Sequence, residues 1–226
     1  MLPDRFKTMF RASGATALQT GAPSSHFRGT ETEAVSTRQS RGLDQFFTYI
    51  NEQVGLSILD LAGVTQENVS FITDLGHKIT TQNFLRSLDD TFGREEITEQ
   101  TNVSRIDYFL EQNLDYKEST FDGVLIWDVM QYLSPALLNA TIERLHRIVR
   151  PRSYMLAFFN ADEKALVAPN TTFRIQDKST LRLAQRGMRR QAQVFNNRSL
   201  EKLFGQFESV KFFLTKEHLR EVIVKR

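Results

Sequence analysis

The sequence predicts an α/β fold with a mostly parallel central sheet, helices on both faces of that sheet, and a C-terminal antiparallel β-hairpin. Short apolar segments alternate with amphipathic helical segments over residues 57–159, which is the pattern of strand–helix–strand units. Residues 124–127 are apolar at every position, as in a parallel strand covered on both faces. Two β-favouring segments at 210–214 and 221–225, separated by a short loop, predict the antiparallel pair.

Composition limits the classes of protein that this chain can belong to. Its 226 residues are 40% hydrophobic and 25% charged, which is typical of one globular domain. No apolar stretch approaches the roughly 18 residues that span a bilayer, so we expect no membrane segment. The sequence has no cysteine, which excludes disulfides and thiolate metal sites and fits a cytoplasmic protein. The four histidines lack metal-ligand spacing, so no metal site is predicted.

The N-terminal residues differ in composition from the rest of the chain. Residues 1–41 are rich in serine, threonine, glycine, alanine and arginine, without a sustained hydrophobic period. Such a segment buries too little apolar surface to fold alone. We therefore expect a disordered or loosely docked N-terminal arm at 1–41, followed by a folded domain at 42–226.

An amphipathic helix opens the predicted domain. Apolar residues recur at helical spacing from Leu43 to Val54, and Gly55 follows as a helix stop. Residues 106–114 fit either a strand or a helix. The remaining elements of the first half are a strand at 57–61, a helix to about Leu75 with Gly76 as C-cap, a strand at 77–83, a helix at 84–92 and a polar loop or helix at 93–103.

The second half begins with the clearest strand, 121–128. Pro135 then occupies the first position of a helix whose apolar stripe runs to Ile148. The elements that follow are a turn at 150–153, a strand at 154–159, a hairpin of 172–175 with 180–183, a helix at 197–204 with Asn197 as N-cap, and the two final strands.

Several segments of this framework resemble class I S-adenosylmethionine-dependent methyltransferases. They are ILDLAGVT at 58–65, GHKITTQN at 76–83, FDGVLIWDVMQYL at 121–133 and LHRIVRPRSYMLA at 145–157. The resemblance covers about residues 43–226. It implies a Rossmann-like class I methyltransferase fold, S-adenosyl-L-methionine as the cofactor, and methyl transfer to an acceptor that the sequence does not identify.

The resemblance also implies positions for the site residues. Asp60 matches the acid near the methionine part of the cofactor, and Asn83 takes the place of the ribose-binding acid. Asn113 and Asp115 lie where the family places its adenine-contacting acid. Asp128 follows the central strand and faces the ligand crevice of such a sheet, so Asp128 and Tyr132 are the catalytic candidates. The candidate cofactor-binding residues are Asp60, Ala62, Gly63, Thr65, Asn83, Asn113 and Asp128.

The chain departs from the family pattern at two places in this site. The glycine positions of the first turn hold Ala62, Val64 and Gln66, and a β-branched residue such as Val64 resists a positive φ. Asn83 accepts through one oxygen, whereas a carboxylate accepts from both ribose hydroxyls, and the lost bond is worth about 0.5–1.5 kcal/mol. These departures favour the alternative of a catalytically inactive, methyltransferase-like binding or scaffold protein.

Other functions are less well supported by the sequence. Nicotinamide-dependent oxidoreductases require Gly-x-Gly-x-x-Gly after the first strand, and that pattern is absent. A basic cluster is compatible with nucleic-acid phosphates, with an acidic partner, or with a solvated surface. Its members are Arg182, Arg186, Arg189, Arg190 and Arg198.

Overall fold

The structure is a computed structural model that describes residues 34–50, 53–94, 96–215 and 219–226. The strands in these residues are β1 Ala34–Gln39, β2 Ser57–Asp60, β3 Lys78–Thr81, β4 Phe121–Trp127, β5 Val149–Asn160, β6 Val167–Ile175, β7 Thr180–Arg190, β8 Ser209–Leu214 and β9 Leu219–Lys225. The α-helices are α1 Arg41–Ile50, α2 Gln66–Asp74, α3 Phe84–Phe92, α4 Val103–Leu114, α5 Pro135–Ile148 and α6 Asn197–Leu203. Short 3₁₀ helices cover Ile97–Thr101 and Val129–Tyr132.

Six strands form the central sheet in the order β3-β2-β4-β5-β9-β8. Strands β3, β2, β4 and β5 are parallel to one another, whereas β9 is antiparallel to both β5 and β8. The mostly parallel sheet and the C-terminal antiparallel hairpin predicted from the sequence are therefore confirmed.

Helices cover both faces of this sheet, as predicted. Along β4, Val124 and Ile126 belong to the core on the side of α3, α4, α5 and α6, while Leu125 and Trp127 belong to the core on the side of α1 and α2. Both sets of side chains are fully buried. This explains why β4 is apolar at consecutive positions, since a strand between two helical layers has no solvent face.

A separate antiparallel sheet, β1-β7-β6, is here called the small sheet. The predicted hairpin of 172–175 with 180–183 is confirmed and extends over the whole of β6 and β7. Strand β1 pairs with β7 from Ala34↔Gln185 to Gln39↔Thr180. Strand β1 thus lies within the segment 1–41 that the sequence predicts to be an N-terminal arm, and residues 1–33 lie outside the described residues. Because β1 is polar and mostly exposed, no hydrophobic period indicates it.

Some predicted local elements need correction. Helix α1 ends at Ile50, and Val54, expected on its apolar stripe, is 84% exposed. The ambiguous segment 106–114 lies in α4. The predicted turn at 150–153 lies within β5 as an irregularity of its pairing with β4, where Arg152 has φ +68°. The N-cap of α6 is Asn196, whose side chain accepts from the Ser199 N–H, and not Asn197.

No helix among the described residues is long and apolar enough to cross a membrane.

Candidate functional site

The candidate site lies at the carboxyl ends of β2, β3 and β4, where parallel α/β sheets bind ligands. Two cavities are present there. The corner cavity, of about 350 Å³, is lined in part by Ala62, Asn83, Arg86, Asp89, Asp128 and Arg189. The small-sheet cavity, of about 340 Å³, is lined in part by Arg38, Asp128, Gln131, Asn160, Phe173 and Leu183.

The turn after β2 packs directly against the end of β3. Ala62 and Asn83 form an isolated antiparallel bridge. Gly63 has φ +87°, and a Cβ there would lie 3.1 Å from the Asn83 Cβ, so a side chain at this position would be both strained and crowded. The turn therefore needs glycine at 63.

The strain predicted at Val64 is not found. The non-glycine residues with positive φ in the described part of the chain are Ser119, Trp127 and Arg152. Val64 is 75% exposed, and its neighbour Gly63 takes the left-handed conformation instead. One glycine, one place out of the family register, is sufficient for this turn.

Asn83 and Thr65 both act as helix N-caps. The Asn83 Oδ1 accepts from the Arg86 N–H at 3.2 Å at the start of α3, and Asn83 also lines the corner cavity. The Thr65 Oγ1 accepts from the Asn68 N–H at 3.3 Å at the start of α2. Asn83 thus combines a structural role with access to the cavity, whereas Thr65 lines neither cavity.

Asp60 is fully buried and its carboxylate is surrounded by donors from the protein. It accepts from the Trp127 Nε1–H at 2.7 Å, the Ala62 N–H at 2.9 Å and the Asn68 Nδ2–H at 3.1 Å. Burial raises the pKa of Asp60, and these three hydrogen bonds act in the opposite direction. Asp60 therefore organises the turn and lines neither cavity.

Asn68, which sequence reasoning missed, links α2 to the small sheet. Its side chain donates to the Phe173 carbonyl at 3.2 Å and accepts from the Ile175 N–H at 2.8 Å, besides donating to Asp60. It is fully buried on an otherwise amphipathic helix. The one signal in the sequence that could have found it is the presence of a polar residue at the third position of α2.

Trp127 ends β4 as a core residue, as its apolar neighbours predict. It has φ +59°, and its ring stacks on Phe173 of β6 at 5.2 Å with planes 8° apart. Since the Trp127 indole also donates to Asp60, the small sheet covers the corner at the end of β2.

Asp128 and Thr171 line both cavities, and Asp128 is the one ionisable residue among the described residues that does so. It is 4% exposed and accepts from the Tyr132 hydroxyl at 3.3 Å. Burial raises the pKa of Asp128 to about 7, while the Tyr132 hydrogen bond and the positive charge of Arg189 act to lower it. A carboxyl group with a pKa near neutrality is suited to exchange a proton at working pH.

Tyr132 supports Asp128 from behind the cavities. Its hydroxyl lies 3.3 Å from both Asp128 Oδ2 and the Pro169 carbonyl, and burial raises its pKa. The Arg189 guanidinium lies 5.0 Å above the Tyr132 ring and forms a bidentate ion pair with Asp89 at 2.5 and 2.9 Å. We therefore assign Tyr132 a positioning role, because it does not line either cavity.

The fold does not bring Asn113 to the candidate site, and it does not keep the predicted basic cluster together. Asn113 is buried within α4, donates to the Phe109 carbonyl at 2.8 Å and lines neither cavity. The basic cluster is divided, because Arg189 is buried against Asp89 and Arg198 lies on α6. Within the described residues, no three histidine, aspartate or glutamate side chains are grouped as a metal site.

The corner cavity provides a test of whether S-adenosyl-L-methionine fits. Its volume lies in the usual range for small-molecule sites. Asn83 lines it, so the residue expected at the ribose is in place, and Ala62 of the first turn lines it as well. Asp60, expected at the methionine end, is instead bonded to Trp127 and Asn68. Asn83 fits the ribose of the cofactor, whereas Asn113 lies away from the cavity and the fold itself uses the acid expected at the methionine end.

No protein-family model and no curated protein sequence matches the chain. Solved structures similar to it include 1,6-didemethyltoxoflavin-N1-methyltransferase of Burkholderia thailandensis with bound 1,6-didemethyltoxoflavin and S-adenosylhomocysteine (14% identity, 82% of this chain, 76% of that chain, TM-score 0.45). A SAM-dependent methyltransferase of Methanosarcina mazei is also similar (12% identity, 79% of this chain, 95% of that chain, TM-score 0.46). A third similar structure is phosphoethanolamine N-methyltransferase 2 of Haemonchus contortus in complex with S-adenosyl-L-methionine (8% identity, 82% of this chain, 52% of that chain, TM-score 0.46). These proteins are S-adenosylmethionine-dependent methyltransferases, the family that four segments of the sequence resemble.

Proposed function

We propose that this chain is an S-adenosyl-L-methionine-dependent methyltransferase that acts on a small acceptor molecule. The observation that carries the proposal is that the corner cavity and the small-sheet cavity meet at Asp128. A group-transfer enzyme accelerates its reaction mainly by positioning two ligands next to each other. Two adjoining cavities of small-molecule size with one shared acid provide that arrangement.

In this proposal the cofactor lies in the corner cavity, where it supplies a methyl group made electrophilic by the attached sulfonium. Asn83 accepts a hydrogen bond from the ribose, and the backbone of Ala62 contacts the cofactor. The small sheet excludes water from the reacting atoms, and Asp128 orients the nucleophile of the acceptor and takes its proton.

Cofactor binding is tested by isothermal titration of S-adenosylhomocysteine into the wild type and into Asn83→Asp. An aspartate at this position still caps α3, because its carboxylate accepts from the Arg86 N–H as the amide oxygen does. It also offers a second acceptor to the ribose hydroxyls. We expect the wild type to bind and the variant to bind up to about tenfold more tightly, the value of one hydrogen bond.

Asn102→Asp is the matched control for this titration. Asn102 caps α4 by accepting from the Arg105 N–H, and it lines neither cavity. The same chemical change there should leave the affinity for S-adenosylhomocysteine unchanged. If neither the wild type nor Asn83→Asp binds, the methyltransferase proposal is wrong.

A second candidate function is a non-catalytic binding protein built on the same fold. It is favoured by the complete burial of Asp60, because the acid expected at the methionine end is bonded to Trp127 and Asn68 and lines neither cavity. This candidate requires that S-adenosylhomocysteine fails to bind to the wild type and to Asn83→Asp.

A further inference from the structure

We infer that the acceptor bound in the small-sheet cavity is a small amine, with its apolar body against the small sheet and its amino group at Asp128. The inference names the substrate class of the proposed methyltransferase and rests on that function for the transfer step. The binding site itself is argued from the walls and charges of the cavity.

Part of the wall formed by the small sheet is apolar, beside polar residues of the same sheet, which are Ser36, Arg38, Thr171 and Gln185. Phe173 and Leu183 lie on adjacent strands, β6 and β7, as cross-strand partners, and Ala168 and Pro169 extend the wall along β6. Leu219 of β9 lines the same cavity. A ligand body in contact with these side chains is stabilised by removal of apolar surface from water.

The rest of the cavity lining is polar, and its charges are arranged to disfavour an anion. The Arg38 guanidinium lies 2.9 Å from Glu221 Oε1, and both side chains are buried, so this positive charge is neutralised by the protein. Arg189, which lies close enough to influence Asp128, forms the bidentate ion pair with Asp89.

Asp128 is therefore the one ionisable group outside an ion pair among the described residues that line this cavity. An anionic ligand there would face an acid without a compensating cation, which is unfavourable in a buried site. A protonated amine would instead form a charge-assisted hydrogen bond with the carboxylate. The side-chain amides of Gln131 and Asn160 also belong to the polar part of the cavity lining.

Asp128 is also placed to take part in the transfer. Its carboxylate removes one proton from the ammonium group, which frees the nitrogen lone pair. That lone pair forms the new N–C bond with the methyl carbon as the C–S bond breaks, and the bonding electrons remain on sulfur. The products are a methylated ammonium, a neutral thioether and a protonated Asp128, so charge and atoms balance.

The charge preference is tested with three probes that share a phenyl group, in the absence of cofactor. Titration calorimetry at pH 8 compares 2-phenylethylamine, 2-phenylethanol and 3-phenylpropanoate. The single tryptophan, Trp127, stacks on Phe173 of the cavity wall, so its fluorescence gives a second readout. We expect the amine to bind at least tenfold more tightly than the alcohol, and the carboxylate to bind most weakly.

Asp128→Asn should lower the affinity for the amine at least tenfold and leave the affinity for the alcohol unchanged. Unchanged binding of the alcohol would show that the cavity is intact. Asp162→Asn is the matched control, because Asp162 is an exposed acid outside the cavity lining, and it should change neither affinity. The inference is overturned if the carboxylate binds as tightly as the amine, if Asp128→Asn leaves amine binding unchanged, or if none of the probes binds.

These outcomes are independent of the titration with S-adenosylhomocysteine. Failure of the amine test with intact cofactor binding would reject the acceptor class alone. Failure of cofactor binding with the expected probe ranking would reject methyl transfer and leave an amine-binding site.

Discussion

Asp128 lies where the two cavities meet because β4 ends abruptly before it. Trp127 has a positive φ, the backbone leaves the sheet, and a 3₁₀ helix, Val129–Tyr132, follows. The carboxyl group of Asp128 is consequently desolvated, which raises its pKa to about 7. The sequence places an acid at this strand end, whereas the groups around that acid come from distant parts of the chain, such as Arg189 and Pro169.

The elevated pKa of Asp128 predicts a specific pH dependence of stability. The pKa in the folded state, about 7, lies above the ordinary value of 3.8, so the native state binds this proton more tightly. The contribution of Asp128 to the stability of the protein therefore falls as the pH rises from about 4 to about 7. Asp128→Asn removes this effect and should gain up to roughly 4 kcal/mol over the wild type between pH 4 and pH 8, since each pKa unit corresponds to about 1.4 kcal/mol.

Urea unfolding followed by Trp127 fluorescence at several pH values measures this difference. The stability curve of Asp162→Asn, which alters an exposed acid, should run parallel to that of the wild type. Parallel curves for Asp128→Asn and the wild type would contradict the assignment.

At the scale of elements, the contact between α2 and β6 determines how the small sheet covers the corner. The amide group of Asn68 satisfies the Phe173 carbonyl and the Ile175 N–H, two backbone groups of β6. Both bonds are buried, so their loss leaves polar groups without partners.

Asn68→Ala should therefore destabilise the protein by about 2–4 kcal/mol, because a buried unsatisfied polar group costs about 1–3 kcal/mol. Hydrogen exchange at the Ile175 N–H should accelerate in this variant. For comparison, Asn102→Ala removes an exposed helix cap and should cost about 1 kcal/mol without affecting Ile175. If the two variants lose the same stability and the Ile175 N–H of β6 stays protected from hydrogen exchange, Asn68 does not link α2 to β6.

At the scale of the whole molecule, Glu221 connects the two sheets. From β9 it accepts from Arg38 of β1 at 2.9 Å, from the Ser40 hydroxyl at 3.0 Å and from the Gly42 N–H at 2.6 Å. Burial raises the pKa of Glu221, and these contacts oppose that rise. The last contact lies at the start of α1, where a helix favours a negative charge.

Glu221→Ala should cost about 3–5 kcal/mol, because it leaves the Arg38 charge buried without a partner. The double replacement Arg38→Met with Glu221→Leu should recover part of that loss, since no buried charge remains. Urea unfolding provides the measurement. The control is Glu208→Ala, which breaks a pair with Lys225 at the surface and should cost about 1 kcal/mol or less. A Glu221→Ala variant as stable as the Glu208→Ala variant would refute this role.

Local patterns in the sequence predicted most of the central domain. The stripe of α5, the apolar run of β4 and the C-terminal hairpin each depend on neighbours within a few residues, so periodicity indicates them reliably. Position along the chain also predicted that Asp128 lies at the crevice of the sheet, because it follows a central parallel strand, and it lines both cavities there.

The tertiary structure alone decided which polar residues bond to other parts of the fold and which line a cavity. Asp60 bonds to an indole 67 residues away, and Asn68 contacts a carbonyl 105 residues away. Strand β1 exists through pairing with β7 and through the ion pair of Arg38 with Glu221, 183 residues along the chain. The sequence determined the alternating strands and helices because their causes are local. Whether a buried carboxylate bonds to the protein or lines a cavity depends on partners that only the folded chain brings together.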